Sequence, residues 1–462
     1  MRKFIVTILF LVSSQIHAQE LTEILSLEEY LGYVKKFHPL VKQANLVITE
    51  GEAKLLKSRG AFDPKLEIDY DRKQFKGSEY FDKLNATFKI PTWYGVEFKA
   101  NFEENSGIFL NPEANVPNDG LYSVGVSVSL ARGLIMNERM SMLKQAKFFQ
   151  EQTQADRQIL VNNVLFEAAK AYFKWLKQYN ERSVYQEFLV NAEFRLNGIK
   201  RRYQQGDAAA IDTLETGIIA NTRKLELEQA NIKYLKASLE LSTFLWLAEN
   251  TPVQLQDNVI PDGDIMNNID LALSLNSFQL DTMNIDQHPK LISLDRKLEA
   301  LKVDKRLKAN RLLPQIDLEY NFLTETPEIL NSFDDTQYKG AVKVRFPLFL
   351  RKERGDLRLA KVKLQDTDFE IRGTRFNLLN KIDAISQEIT SLQRQTGFAQ
   401  QIVTDYQTLL RAEERKFAVG ESSVFLVNSR ETKLIESRLK AIKVINDLPN
   451  PKATLFNTLA LE

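Results

Sequence analysis

The 33 residues from His38 to Tyr70 come round again 250 residues later, and that recurrence constrains the fold more than any other feature. The stretch opens His38-Pro39, runs through a polar helical segment to Pro64, then alternates Leu66, Glu67, Ile68, Asp69, Tyr70. In register with it stand His288-Pro289, Pro314 and Ile316, Asp317, Leu318, Glu319, Tyr320. Only four of the 33 positions are identical, so the order of events is what recurs: helix start, proline, strand. A period this long implies two copies of one large unit rather than a solenoid of small ones.

After Pro64 the periodicity changes from helical to two. Leu66, Ile68 and Tyr70 oppose Glu67, Asp69 and Asp71, and three further segments alternate in the same way: 84–90, 96–103 and 123–130. Such ten-residue amphipathic segments suit a membrane barrel, and they suit a half-buried soluble sheet equally. The connections favour the barrel. Residues 105–119 are long and rich in Asn, Pro and Gly, whereas Pro91-Thr92 is a tight joint, and barrels alternate long outer loops with short periplasmic turns. Aromatics gather at the segment ends (Tyr80, Phe81, Trp93, Tyr94, Phe109, Tyr122), as interfacial girdle or as ordinary strand formers.

From about Leu134 to Tyr203 the chain reads as nearly continuous helix. Val161, Leu165, Ala168, Tyr172, Trp175 and Tyr179 step by four and three, which is heptad spacing. At 1.5 Å per residue this run is roughly 105 Å long. Gly206 has the position of a helix-closing glycine, and a second helix follows from about Ala208 to Leu247. The second copy behaves alike. Helix from about Arg351 to Ala418 carries Leu378, Ile382, Ile385, Ile389 and Leu392, breaks at Gly420 and resumes near Ser422. That copy has only two alternating segments, Pro314–Leu323 and Tyr338–Leu348.

The start of the chain is basic at Arg2-Lys3, apolar from Phe4 to Val12 and small at Ala18, the pattern of a secretory signal peptide over 1–18. Without it the chain carries 60 basic and 61 acidic residues, so no global field draws it to nucleic acid. There is no cysteine, hence no disulfide. His38 and His288 are the only histidines beyond the signal, which argues against a histidine triad or a multi-histidine zinc site, and no phosphate loop or nucleophile elbow is present. The sequence names no cofactor, metal or catalytic residue. His38 reads as a helix-start residue.

The expected organisation is therefore a first unit over 19–250, with strands about 64–131 and a helical hairpin turning at 203–208. A loop-like joint over 251–286 follows, then a second unit over 287–447, with strands about 314–348 and a hairpin turning at 417–422. A short irregular tail over 448–462 ends the chain. The fold class is an α+β membrane protein. Long heptad helices need partner helices, and strands in lipid need closure. Six strands or fewer cannot make a roomy barrel alone. A cyclic oligomer meets both needs: a β-barrel above a tube of antiparallel helical hairpins.

With these parts in hand, the chain resembles the TolC family of outer-membrane channel-tunnels over about residues 25–447. The resemblance rests on the two His-Pro starts, the Leu-Pro-x-Ile-x-Leu-x-Tyr run at Leu313–Tyr320 and the Phe346-Pro347-Leu348-Phe349 strand exit. The aromatic-x-x-Gly turns at Tyr203–Gly206 and Phe417–Gly420 complete it. It implies a homotrimer whose barrel sits in outer-membrane lipid. Its helical tube would cross the periplasm to a periplasmic adaptor and an inner-membrane pump. Gly206 and Gly420 would then be periplasmic tips, and Arg202, Tyr203, Lys416 and Phe417 candidates for adaptor docking, beside their role in helix termination.

Family members often narrow the tube with aspartates just past the tip glycine. Here Asp212 and Glu215 stand six and nine residues beyond Gly206, and three copies would form a charged ring. The second copy has Leu426 and Ser429 at the matching positions, so Leu426 would close the tube apolarly instead. The family's usual share is four strands per chain. The segments counted here total six, so residues 80–104 either enter the barrel wall or extend outside it. The leading function is a passive exit duct of a tripartite efflux or type I secretion system. The alternative is a periplasmic coiled-coil adaptor or scaffold without a pore.

Overall fold

The computed structural model describes residues 23–276, 284–326 and 334–462; the expected signal peptide lies outside them. The short strand β1 (Glu23–Leu25) leads to helices α1 (Leu27–Phe37) and α2 (Pro39–Arg59). Four strands follow, β2 (Lys65–Phe75), β3 (Ser78–Pro91), β4 (Val96–Ser106) and β5 (Leu121–Ala131). A single helical turn, α3 (Arg132–Ile135), precedes the long helix α4 (Glu138–Gln204), which turns back into α5 (Ala210–Ser242). Then come β6 (Val259–Pro261), α6 (Ile265–Ala272), α7 (Pro289–Asn310), β7 (Gln315–Thr324) and β8 (Tyr338–Arg345). The second long helix, α8 (Arg351–Ala418), is followed by α9 (Val424–Asp447) and α10 (Pro449–Thr458).

The two His-Pro sites are built alike. His38 ends α1 in extended geometry, and its Nδ1 accepts the Leu40 N–H at 3.2 Å, capping α2. His288 Nδ1 accepts the Lys290 N–H at 3.1 Å in the same way, with Pro289 in the first turn where no donor is needed.

All six long strands share one antiparallel sheet in the order β2-β3-β4-β5-β7-β8. The hairpin over residues 80–104 is therefore inside the sheet, pairing from Leu66–Phe88 across to Phe102–Tyr122. β5 and β7, from the two halves of the chain, pair directly from Tyr122–Thr324 to Ala131–Gln315. β2 and β8 are the edges, each paired on one side only. The joins α2–β2, β5–α3, α7–β7 and β8–α8 all lie at one end of the sheet, so the helices leave it in a single direction.

The main core lies where α1, α2 and α6 cross α4. Val161, Leu165, Ala168, Tyr172 and Trp175 of the heptad row are buried there, with the Tyr30 ring tilted against Tyr172 at 5.7 Å between centroids. Two expectations are corrected. The tail is not irregular: Pro449 opens α10, which buries Ala453 and Phe456 against α4, and Asn162 donates to the Phe456 and Leu461 carbonyls at 3.1 and 2.6 Å. The joint at 251–286 also holds structure, since β6 pairs in parallel with β1 and α6 buries Ile265 and Ile269. Non-local contacts order both segments, and period and turn chemistry do not reveal such contacts.

Candidate functional site

The chain has two candidate working regions, the tips of its long hairpins and the faces of its sheet. At the first tip Gly206 takes φ +85°, its N–H bonding the Tyr203 carbonyl at 3.0 Å and the Asp207 N–H the Arg202 carbonyl at 2.8 Å. At the second Gly420 takes φ +84°, with Gly420 N–H on Phe417 O at 3.1 Å and Glu421 N–H on Lys416 O at 2.9 Å. Both are the same six-residue helix-closing motif, and its left-handed residue favours glycine.

The tip residues chosen from sequence divide into two groups. Arg202 lies over the Phe417 ring at 5.6 Å, which joins the two hairpins at their ends. Phe417 packs partly buried on a small core of Phe188, Leu410, Val427 and Leu434, whereas Tyr203 is 48% exposed and Lys416 is exposed. Above them a groove of about 900 Å³ runs between α4, α8 and α9, lined by Phe194, Arg195, Arg411 and Arg438 among others.

The candidate constriction residues are differently engaged. Asp212 caps α5, its carboxylate accepting the Ala209 N–H at 3.3 Å. Glu215 accepts from Asn428 Nδ2 at 3.3 Å and so leans on α9. Leu426 sits in the first turn of α9, 39% exposed, its N–H capped by Ser423 at 3.3 Å.

Sequence reading missed what lies behind them. Arg195 of α4 makes a two-pronged pair with Glu431 of α9, at 2.8 and 3.1 Å, and donates to Asn428 at 2.9 Å. The Glu431 side chain is only 2% exposed, so its charge is compensated almost wholly by Arg195. No short motif announces a pair 236 residues apart.

The sheet separates its larger side chains by chemistry over its central rows. One face carries Ile68, Ala86, Phe102 and Tyr122 in one row, and Phe88, Ala100, Val124 and Phe322 in another. The opposite face carries Glu67 bonded to Lys89, Thr87 to Asn101 at 2.7 Å, Lys99 to Glu319 at 3.2 Å and Arg345 to Asp317 at 3.3 Å. Aromatic pairs mark both ends: Phe62 on Trp93 near the helices, Tyr80 on Phe109 and Phe102 on Tyr122 at the far end.

Two rows of apolar side chains find no cover among the described residues. On α5, Ile211, Leu214, Ile218, Leu225, Ile232, Leu235 and Leu239 are each 46–71% exposed, in steps of three, four and seven. On α8, Val362, Phe369 and Phe376 recur every seven residues at 53–68% exposure. A heptad scan of α5 exposes the first row, but only the structure tells that α4 covers the other side.

Against known proteins, the sequence matches the outer membrane efflux protein family over residues 100–245 and 284–460. The chain belongs to that family. This efflux protein has no match among curated protein sequences. Its fold is similar to the crystal structure of the CusC channel, at 14% identity and TM-score 0.68, covering 94% of this chain and 91% of that one. It is also similar to VceC from Vibrio cholerae (12% identity, TM-score 0.65, 94% and 96% covered). The open-state MtrE channel of Neisseria gonorrhoeae compares at 12% identity and TM-score 0.64, with 94% and 88% covered. The TolC-type resemblance read from the sequence agrees with this membership. The efflux protein is thus an outer-membrane exit duct, not an enzyme and not a poreless scaffold. Among the described residues no helix is long and apolar enough to cross a membrane. The sheet, apolar on one face and polar on the other, has the alternation of strands that meet lipid on one side.

Proposed function

We propose that three copies of this chain form one passive conduit, an eighteen-strand barrel in the outer membrane continued by a tube of helical hairpins in the periplasm. The observation that carries this reading is the two-faced sheet with two open edges. A lipid-facing apolar row requires closure, and six strands per copy close comfortably only with other copies. The uncovered heptad rows of α5 and α8 support the same assembly, since each lacks a partner seam. At 1.5 Å per residue, α4 and α8 give the tube a length of about 100 Å.

In this reading the tips at Gly206 and Gly420 meet a periplasmic adaptor bound to an inner-membrane pump. Arg202, Tyr203, Lys416 and Phe417 form the docking surface, with exposed Tyr203 and Lys416 outermost. Asp212 and Glu215 from α5 and Leu426 from α9 narrow the tube beside the tips. Their caps and the Asn428 contact support a constriction held in place by local bonds rather than one of free carboxylates. Electron microscopy of the detergent-extracted protein tests the assembly. Threefold rings end-on and tapered tubes side-on are expected; single particles without rings would overturn it.

A further inference from the structure

The two free edges of the sheet differ in charge. On its polar face the β2 edge presents Glu67, Asp69 and Asp71 in successive positions, with Lys65 and Lys73 flanking them, while the β8 edge presents Lys339, Ala341, Lys343 and Arg345 and no acid. Among the described residues Asp69, Asp71 and Lys343 close no ion pair, although Lys343 acts electrostatically on Glu319. Lys343 stands opposite Asp317, which already accepts from Ser129 at 2.5 Å and from Arg345 at 3.3 Å. Lys339 and Arg345 have partners within the sheet, yet their side chains remain 66% and 70% exposed.

Direction agrees with charge. Five successive antiparallel pairings make β2 and β8 run oppositely, so β8 of one copy meets β2 of the next in antiparallel fashion. Side-chain alternation then sets apolar Leu66, Ile68 and Tyr70 beside Val342 and Val344 on one face, and acids beside cations on the other.

We infer that the barrel closes between copies along a water-facing acid–base seam, Glu67, Asp69 and Asp71 of β2 against Lys339, Lys343 and Arg345 of the next copy's β8. This rests on the trimeric reading above and adds its joining edge. Backbone hydrogen bonds supply the cohesion; exposed ion pairs contribute little each and are screened by salt. The charges act on choice of partner. Pairing β2 with β2, or β8 with β8, sets like charges side by side, which is unfavourable. Only β2 against β8 satisfies both edges, and that head-to-tail contact generates a ring instead of a twofold dimer.

The full chain contains no cysteine, so introduced thiols report proximity cleanly. Single cysteines are placed along β2 (Glu67→Cys, Asp69→Cys, Asp71→Cys) and combined in turn with Lys343→Cys, then oxidised in isolated outer membranes. At least one pair is expected to give disulfide-linked dimers and trimers, and Asn101→Cys with Lys343→Cys none. Separately, Asp69→Lys with Asp71→Lys is expected to lower the temperature at which trimer gives way to monomer, and adding Lys339→Glu with Lys343→Glu to restore it. A trimer by mass with no cross-link from any pair and no charge effect would overturn the seam and leave the trimer standing. A wild-type chain that is monomeric in the membrane extract would overturn the trimeric reading itself.

Discussion

His288 couples the C-terminus to pH. Its Nδ1 accepts the Lys290 N–H, and its Nε2 bonds the Thr458 carbonyl at 2.8 Å, so the ring is neutral with its proton on Nε2. Burial holds its pKa below the usual 6.5, outweighing the pull of the Thr458 carbonyl. The unfolded chain therefore takes up a proton first as pH falls. Stability that is full above 6.5 is lost as pH drops through the lower folded value. His38, buried and shifted the same way beside the Thr243 carbonyl, adds to the effect. His288→Gln should flatten the fall in thermal midpoint between about pH 7.5 and about pH 5, measured by circular dichroism. An unchanged slope would remove His288 as its source. The Arg195–Glu431 pair makes a second residue-scale case. Glu431→Ala leaves a nearly buried guanidinium without its main partner and should cost about 3 kcal/mol in urea unfolding. Arg195→Met combined with Glu431→Leu should cost less than Glu431→Ala alone. Additive losses would show that the two side chains act independently.

Among elements, α5 carries the longer of the two apolar rows that the described residues of the single chain leave open. Ala220, Ala230 and Ala237 are buried, while the leucine and isoleucine row on its other side is open. Leu225→Asp with Ile232→Asp should abolish the trimer in sedimentation while leaving the helical signal of the monomer intact. A persisting trimer would mean that α5 lies outside the interface. Legibility differed between elements for a physical reason. The α4 row from Val161 to Trp175 was readable because its heptads meet partners inside the chain. The matching α8 row was readable too, yet only Ile382 and Ile385 of it are buried, because the seam a heptad announces need not be filled from the same chain. The strands declared themselves by alternation, down to the extra hairpin at 80–104. α10 did not, since Pro449 and Pro451 resemble a break and serve here as a helix start. The β1–β6 pairing joins three-residue strands more than 230 positions apart, and no local pattern encodes that. At the tips the glycines stood out through their turns, whereas Arg195 and Glu431 lay hidden in ordinary charged helix.

At the scale of the whole molecule, everything depends on which side of the sheet meets lipid. The helices all leave from one end, and each strand of the sheet carries one row of apolar side chains, which in the proposed barrel is the row that meets lipid. Val126 and Ser127 are neighbours in β5 and point to opposite faces; Val126 pairs with Phe98 and Tyr320, Ser127 with Glu97 and Glu319. If the apolar face is the lipid face, Val126→Arg sets a charge near the middle of the hydrocarbon layer at a cost of about 2–4 kcal/mol. Ser127→Arg puts the same charge among carboxylates on the water side. Outer-membrane fractionation should find Val126→Arg depleted from the membrane and Ser127→Arg present at the wild-type level. The reverse outcome would turn the sheet inside out. Equal loss of both would say that β5 tolerates no added bulk, and Val126→Phe separates that case, because it adds volume without charge and should remain in the membrane.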